Sequence, residues 1–386
     1  MKKYLIAILF LVLFLFIKNT TLAFLPGDAN CDGRVDGSDY VKWLTIYGSS
    51  PQSCPNDPDF NNDNKVDGID YVMWLQNFGA ISTPSVTPTY TPTPTPTVVS
   101  TNTPTPPPIT GSVVIAAAGD IACGAGSTGA SCKQKETSDL IVTMNPIAVL
   151  ALGDVQYEEG SLTDFRNFYN PSWGRFLGKT YPSVGNHEYL TANASGYFDY
   201  YNGVGVATGR AGERSKGYYA FNVGAWRLYA LNSNCSPAGG CGVGSPQEKW
   251  LRADLAANPK SCVLAYFHHP LYSSGGRATT AVRPLYQALY DNNAEVILTG
   301  HDHSYERFAP QDANGNLNTT KGIREFVVGT GGRNHTPFVI AVPNSEVKDA
   351  TSFGVLKMTL NTNSYSWQFM PITGQTFTDS GSTNCH

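Results

Sequence analysis

The sequence predicts a layered α/β domain over residues 111–386 and a small all-α unit over residues 26–80, joined by a stiff linker over residues 81–110. Three observations carry this expectation. Short apolar runs, each closed by glycine or a polar cluster, fill the C-terminal part. An aspartate-rich pattern occurs twice near the N-terminus. Between the two lies a run of little but proline and threonine.

In chain order, Lys2 and Lys3 precede an apolar run from Tyr4 to Ile17, and a polar stretch leads to Ala23. This is the layout of an export signal over residues 1–23. The run is about 14 residues, short of the roughly 20 that span a bilayer as a helix. An uncleaved anchor is the competing reading. The expected location is outside the cell or at its surface, with no membrane span once the signal is removed. The eight cysteines agree with an oxidising compartment. Their spacings suggest the pairs Cys31–Cys54, Cys123–Cys132, Cys235–Cys241 and Cys262–Cys385, although sequence alone leaves the connectivity open. A net charge of −4 supplies no basic field for a nucleic acid, so nucleic-acid binding is not expected as a primary role.

The repeat sets Asp36-Gly37-Ser38-Asp39-Tyr40-Val41 against Asp67-Gly68-Ile69-Asp70-Tyr71-Val72, 31 residues apart. Calcium takes six or more hard oxygens from a twelve-residue loop. Asp28, Asn30, Asp32, Asp36 and Asp39 occupy the side-chain positions of the first loop, and Asp59, Asn61, Asp63, Asp67 and Asp70 those of the second. Val41, Leu44 and Tyr47, echoed by Val72, Leu75 and Phe78, give each following helix an apolar face. Proline every second or third residue of the linker favours an extended polyproline conformation that builds no core.

After the linker, Val113–Ala118, Ala148–Leu152, Val263–Phe267 and Glu295–Leu298 read as buried strands, with helices near 135–144, 245–256 and 280–291. Residues 217–223 with 226–232, and 354–360 with 365–370, read as hairpins. Five motifs follow in order: Gly119-Asp120, Gly153-Asp154-Val155-Gln156-Tyr157, Gly185-Asn186-His187-Glu188, Phe267-His268-His269-Pro270 and Gly300-His301-Asp302-His303. Most follow an apolar run directly, which places them on loops at one sheet edge, where open α/β sheets build their sites. Of seven histidines, only His335 and His386 lie outside these motifs. Carboxylates, imidazoles and an amide oxygen are the donors of a two-metal hydrolytic centre.

The duplicated loop–helix units, with aspartate at the twelfth position, resemble type I dockerins over about residues 27–79. That resemblance implies calcium and a cohesin or cell-surface partner. The longer segment between the repeats, with Cys54, and the pairs Gly37-Ser38 and Gly68-Ile69 depart from the dockerin pattern.

The ordered motifs of residues 112–370 resemble the calcineurin-like metallophosphoesterase superfamily. Tyr157, and the run Gly300-His301-Asp302-His303-Ser304-Tyr305-Glu306-Arg307, make them similar to its purple acid phosphatase branch. The resemblance implies a four-layer αββα sandwich and a binuclear centre of iron with zinc, manganese or a second iron. One ion would take Asp120, Asp154, Tyr157 and His303; the other would take Asp154, Asn186, His268 and His301. Asp154 would bridge, a metal-bound hydroxide would attack, and His187 would protonate the leaving oxygen with Glu188 as its partner. His269 is expected to be structural, and Glu306 and Arg307 to brace their loop. Plant members carry further histidines after the His268 motif. Here the stretch Leu271–Thr280 has none, and Arg277 is its one cation, a candidate phosphate contact. The implied activity is hydrolysis of a phosphomonoester. The alternatives are a phosphodiesterase or nucleotidase using the same site, and a surface-binding protein on a non-catalytic phosphoesterase scaffold.

Overall fold

Val113–Ala118 is an unbroken apolar run, and it forms β1, which pairs in parallel with β2 (Ala148–Leu152) and antiparallel with β13 (Gly354–Leu360). A computed structural model describes residues 111–125 and 132–386, with Asp28, Ala29, Arg34, Val35, Ser38, Asp39, Lys42, Trp43, Phe60, Val66, Asp70, Met73 and Trp74. The expected export segment, the linker, the Cys31–Cys54 pair and the calcium-ligand candidates Asn30, Asp32, Asp36, Asp59, Asn61, Asp63 and Asp67 lie outside the described residues. The chain divides into two compact units, Met1–Asn102 and Thr103–His386. Among the described residues, no helix is long and apolar enough to cross a membrane.

In the second unit, β14 (Ser364–Pro371), β15 (Ser380–Asn384) and β3 (Thr180–Ser183) complete a six-stranded sheet in the order β15-β14-β13-β1-β2-β3. A second sheet has seven strands, in the order β12-β10-β11-β9-β8-β7-β6. They are β6 (Tyr219–Val223), β7 (Trp226–Ala230), β8 (Val263–Tyr266), β9 (Val296–Thr299), β10 (Tyr305–Phe308), β11 (Arg324–Val328) and β12 (Ser345–Asp349). A two-stranded ribbon, β4 (Thr208–Gly209) with β5 (Gly212–Glu213), stands apart.

The central strands β7, β8 and β9 of the second sheet are largely apolar on both faces, and their side chains alternate between two cores. Trp226, Leu228, Leu264, Tyr266, Val296 and Leu298 join the core shared with the first sheet. Their neighbours Tyr229, Val263, Ala265 and Ile297 turn the other way, onto Leu251, Leu285 and Leu289 of two helices. The helices of eight residues or more in the unit are α1 (Gln134–Met144), α2 (Ser195–Asn202), α3 (Pro246–Ala257) and α4 (Arg283–Asp291). The start of α3 is written locally: the Ser245 side chain accepts from Glu248 N, Glu248 reaches back to Gly244 N at 3.0 Å, and proline opens the first turn. Disulfides join Cys123 to Cys132, Cys235 to Cys241 and Cys262 to Cys385.

The strands read from sequence match β1 and β2 residue for residue and β8 and β9 to within one residue. The third expected helix starts later than read, because Thr280–Val282 forms a 3-10 turn, with the Thr279 hydroxyl accepting from Ala281 N, before α4 begins.

In the first unit, Ala29, Val35, Trp43, Phe60, Val66 and Trp74 form one buried cluster. Asp28, Asp39 and Asp70 are buried, and Asp70 Oδ1 accepts from Phe60 N at 2.7 Å.

Candidate active site

β1, β2 and β3 run parallel in one sheet, and β7, β8, β9 and β11 run parallel in the other. The loops leaving their C-terminal ends meet at the seam between the sheets. Gly119 N donates to Val328 O at 2.9 Å, and the His268 ring meets Leu152 O at 2.9 Å. Asp120, Asp154 and His301 hold positive φ values of 56°, 44° and 70°. That region is unfavourable for residues with a Cβ, and such strain gathers at functional sites. Two glycines are required by close approach. A Cβ on Gly153 would stand 2.6 Å from that of His268, and one on Gly185 would fall on Asp154 Oδ1.

All seven metal-ligand candidates converge. Tyr157 Oη lies 2.8 Å from Asp120 Oδ1, 3.2 Å from Asp154 Oδ2 and 3.1 Å from His303 Nε2. On the other side of Asp154, His268 Nε2 lies 3.1 Å from Asp154 Oδ2, 3.1 Å from Asn186 Oδ1 and 3.1 Å from His301 Nδ1. Asp154 therefore belongs to both groups. Metal–ligand bonds of about 2.0–2.2 Å put neighbouring donors about 3 Å apart, which is the spacing found here. Three oxygen acids buried side by side also call for positive charge. The residues present thus fit a pair of metal ions.

Protonation follows from the same packing. Burial lifts the Asp120 carboxyl above the ordinary range, and burial with the Asp120 and Asp154 carboxylates pushes the Tyr157 phenol well up. Burial opposes charge on both Asp154 and His268, but their mutual attraction overrides it. Asp154 falls below its usual value, and His268 rises to about 9. Burial and the neighbouring His268 lower His301 to about 2.

His187, His268 and His303 each set Nδ1 against a backbone carbonyl: Glu158 O at 2.5 Å, Leu152 O at 2.9 Å and Asn334 O at 2.6 Å. A carbonyl only accepts, so in each ring Nδ1 carries the proton and Nε2 is left for the centre. In His187 that nitrogen lies 3.9 Å from Asp154 Oδ2, at the edge of a cavity of about 300 Å³ above the donor set. The placement suits proton transfer to a substrate oxygen.

Glu188 departs from its expected role beside the His187 ring. Its carboxylate is buried and accepts from Asp154 N, Val155 N, Gln156 N and Gly185 N at 2.7–3.2 Å. Burial, then the nearby Asp154, raises it to about 8. His269 is fastened by Ser233 Oγ at 2.9 Å, and its ligand atom lies within 4.8 Å of those of His268 and His301. Burial and His268 lower its pKa to about 3. Arg277 lines the cavity, as do Arg333, Asn334 and Thr336, which the motifs did not single out. The signal available for these three was Gly331-Gly332, another glycine turn after a buried strand.

Residues 114–305 match the family model described as calcineurin-like phosphoesterase. Among curated proteins, probable purple acid phosphatase 20 of Arabidopsis thaliana is 28% identical over 179 residues, 40% of each chain. Purple acid phosphatase 18 of the same plant is 28% identical over 132 residues, 32% of this chain and 28% of that one. The chain thus spans less than half the length of these curated relatives. Among solved structures, purple acid phosphatase PPD1 from yellow lupin (Lupinus luteus) seeds aligns with a TM-score of 0.58 at 19% identity, over 71% of this chain and 54% of that one. GAP50, the anchor in the inner membrane complex of Plasmodium, aligns with a TM-score of 0.53 at 15% identity, over 71% and 89%. At such identities these two structures speak for the fold alone.

Proposed function

We propose that this chain, whose residues 114–305 form a calcineurin-like phosphoesterase domain, is an exported purple acid phosphatase-like enzyme that hydrolyses phosphomonoesters. The observation that carries the reading is the pair of donor groups sharing Asp154, with His187 Nε2 at the cavity edge beside them. Asp120, Asp154, Tyr157 and His303 would hold one ion, and Asp154, Asn186, His268 and His301 the other. The phenol among the first four favours ferric iron there, with zinc, manganese or ferrous iron in the second place. When bound, the two ions supply an activated water and neutralise phosphoryl charge.

The protein's own groups do the rest. Glu158 O holds the His187 ring so that Nε2 faces the leaving oxygen, to which the protonated ring gives its proton. Glu188 fixes the loops carrying Asp154 and Asn186. The two sheets with helices outside them support the four-layer αββα reading. The N-terminal repeats support calcium binding and attachment to a cohesin or a cell surface, and the N-terminal apolar run supports export.

The test is phosphate release by the full chain loaded with iron plus zinc or manganese, comparing an aryl phosphomonoester with the matching diester. Monoester turnover is expected. Asp154→Asn should abolish it, and His187→Gln should lower kcat by about 10²–10⁴-fold. A preference for the diester would move the function to a phosphodiesterase. No turnover by folded protein with both ions bound would leave a non-catalytic scaffold.

A further inference from the structure

Every side chain lining the cavity above the donor set is polar, and two of them, Arg277 and Arg333, are cations from different loops. Arg277 ends the Ser273–Arg277 stretch that follows His268, and Arg333 follows the Gly331-Gly332 turn after β11. Both loops are tied to the donor set.

Asp302, between His301 and His303, is fully buried and accepts from Ser273 Oγ at 2.5 Å and Arg277 N at 3.3 Å. Glu306, also buried, accepts from Ser274 N at 2.7 Å and from Ser274 Oγ at 2.6 Å. Two carboxylates from the histidine-bearing segment therefore pin the Arg277 loop. The guanidinium itself is anchored on one side: Arg277 Nη1 donates to His301 O at 3.4 Å, and Nε stands 3.9 Å from Asp302 Oδ1. That oxygen is buried and has no hydrogen-bond partner, so a small rotation of Arg277 would give it one.

On the other loop, Arg333 N donates to Asp120 O at 2.9 Å, and the guanidinium lies 4.9 Å from the Tyr157 ring centroid. It pairs at 2.5 Å with Glu158, whose side chain is 53% exposed. An ion pair with so exposed a partner is weak enough for an incoming anion to share or displace it.

We propose that Arg277 and Arg333 form a two-sided guanidinium clamp that binds the dianionic phosphoryl group of a monoester and selects it over the monoanion of a diester. The clamp rests on the phosphoesterase reading above and names its substrate class. A monoester dianion carries three non-bridging oxygens and two negative charges. A diester has one charge fewer, and its second ester arm takes the place of an accepting oxygen. A guanidinium is always charged and presents a planar fork of donors, which suits phosphoryl oxygens. Neither arginine supplies a proton or a nucleophile, so both act on binding and orientation. The His301 carbonyl and Glu158 orient the two guanidinium groups before the substrate arrives.

The test is calorimetric binding of inorganic phosphate and of dimethyl phosphate to the metal-loaded full chain, in wild type, Arg277→Gln, Arg333→Gln and Arg333→Lys, with metal content measured on each sample. Each glutamine variant is expected to weaken phosphate binding about tenfold or more, the worth of one hydrogen bond to a charged group. Dimethyl phosphate should change by less than about threefold, and Arg333→Lys should recover part of the phosphate affinity by keeping the charge without the fork. Unchanged phosphate affinity with both ions retained would overturn the clamp, and so would equal losses for the two anions. Loss of an ion in Arg333→Gln would make Arg333 a support of Tyr157 and would also overturn it. Absence of monoester turnover in the same wild-type sample would overturn the phosphatase reading alone, since phosphate binding still decides the clamp.

Discussion

Four backbone N–H groups from two loops end on the one carboxylate of Glu188, which is fully buried. The loops belong to Asp154 and Asn186, so one side chain sets the separation of donors from both groups. Glu188→Ala would leave four donors to find water or go unpaired, at about 1–3 kcal/mol for each that stays buried. The expected result is a loss of at least about 3 kcal/mol of stability together with weakened metal retention. Calorimetric unfolding and elemental analysis of the purified variant check both. Wild-type stability with two ions bound would refute the role. The chemistry of this loop was legible in Gly185-Asn186-His187-Glu188, because amide, imidazole and carboxyl groups beside a glycine are costly except at a site. The direction of Glu188 was not legible. Its partners are backbone amides 32–34 residues away as well as three away, and side-chain identity says nothing about which amides a fold leaves open. Arg333 was missed for a related reason: its proximity to Asp120 and Tyr157 exists only once the end of β11 meets the end of β1 across the seam between the sheets.

At the scale of elements, the legible strands were those buried on every side. β1, β2 and β8 are apolar without interruption and β9 is apolar up to its last residue, Thr299, and burial writes itself into composition. The edges were harder to read. β3 carries Pro182 and stands last in its sheet, where a missing N–H is tolerated, while β15 and β12 are polar edge strands. β11 is central but contains Glu325 amid its apolar residues. Glu325 Oε1 accepts from Leu271 N at 3.1 Å, Oε2 has no hydrogen-bond partner, and burial raises the carboxyl to about 8. The folded state therefore keeps a proton that the unfolded chain releases near pH 4.3. This contribution to stability is full below about pH 4.3, falls as pH rises and is gone above pH 8. Glu325→Gln should thus flatten the decline in the unfolding midpoint between about pH 5 and 8, with the variant gaining on wild type toward pH 8. Parallel midpoint curves for the two proteins would show that Glu325 is ionised in the fold.

At the scale of the whole molecule, the 31-residue repeat has a physical counterpart. Ala29 and Phe60, Val35 and Val66, and Trp43 and Trp74 are equivalent positions of the two copies, and all six share one buried cluster. Neither copy could bury its apolar side chains alone, so the duplication supplies the core that each half lacks. Asp39 and Asp70, equivalent twelfth positions, are both fully buried, an arrangement that is costly for a carboxylate without a cation or several donors close by. The second unit has its own core and its own three disulfides. If the repeats fold on calcium and the chemistry belongs to the second unit, the two properties are separable. The double variant Asp39→Asn/Asp70→Asn in the full chain should then lose high-affinity calcium binding by calorimetry, and protease should cut it before residue 111 with or without calcium. Its monoester kcat and KM, with iron and zinc loaded, should stay within about twofold of wild type, as expected for independent sites. Undiminished calcium binding would remove Asp39 and Asp70 from the ligand set. A matched loss of calcium and of turnover would mean that the N-terminal unit takes part in catalysis rather than in placement.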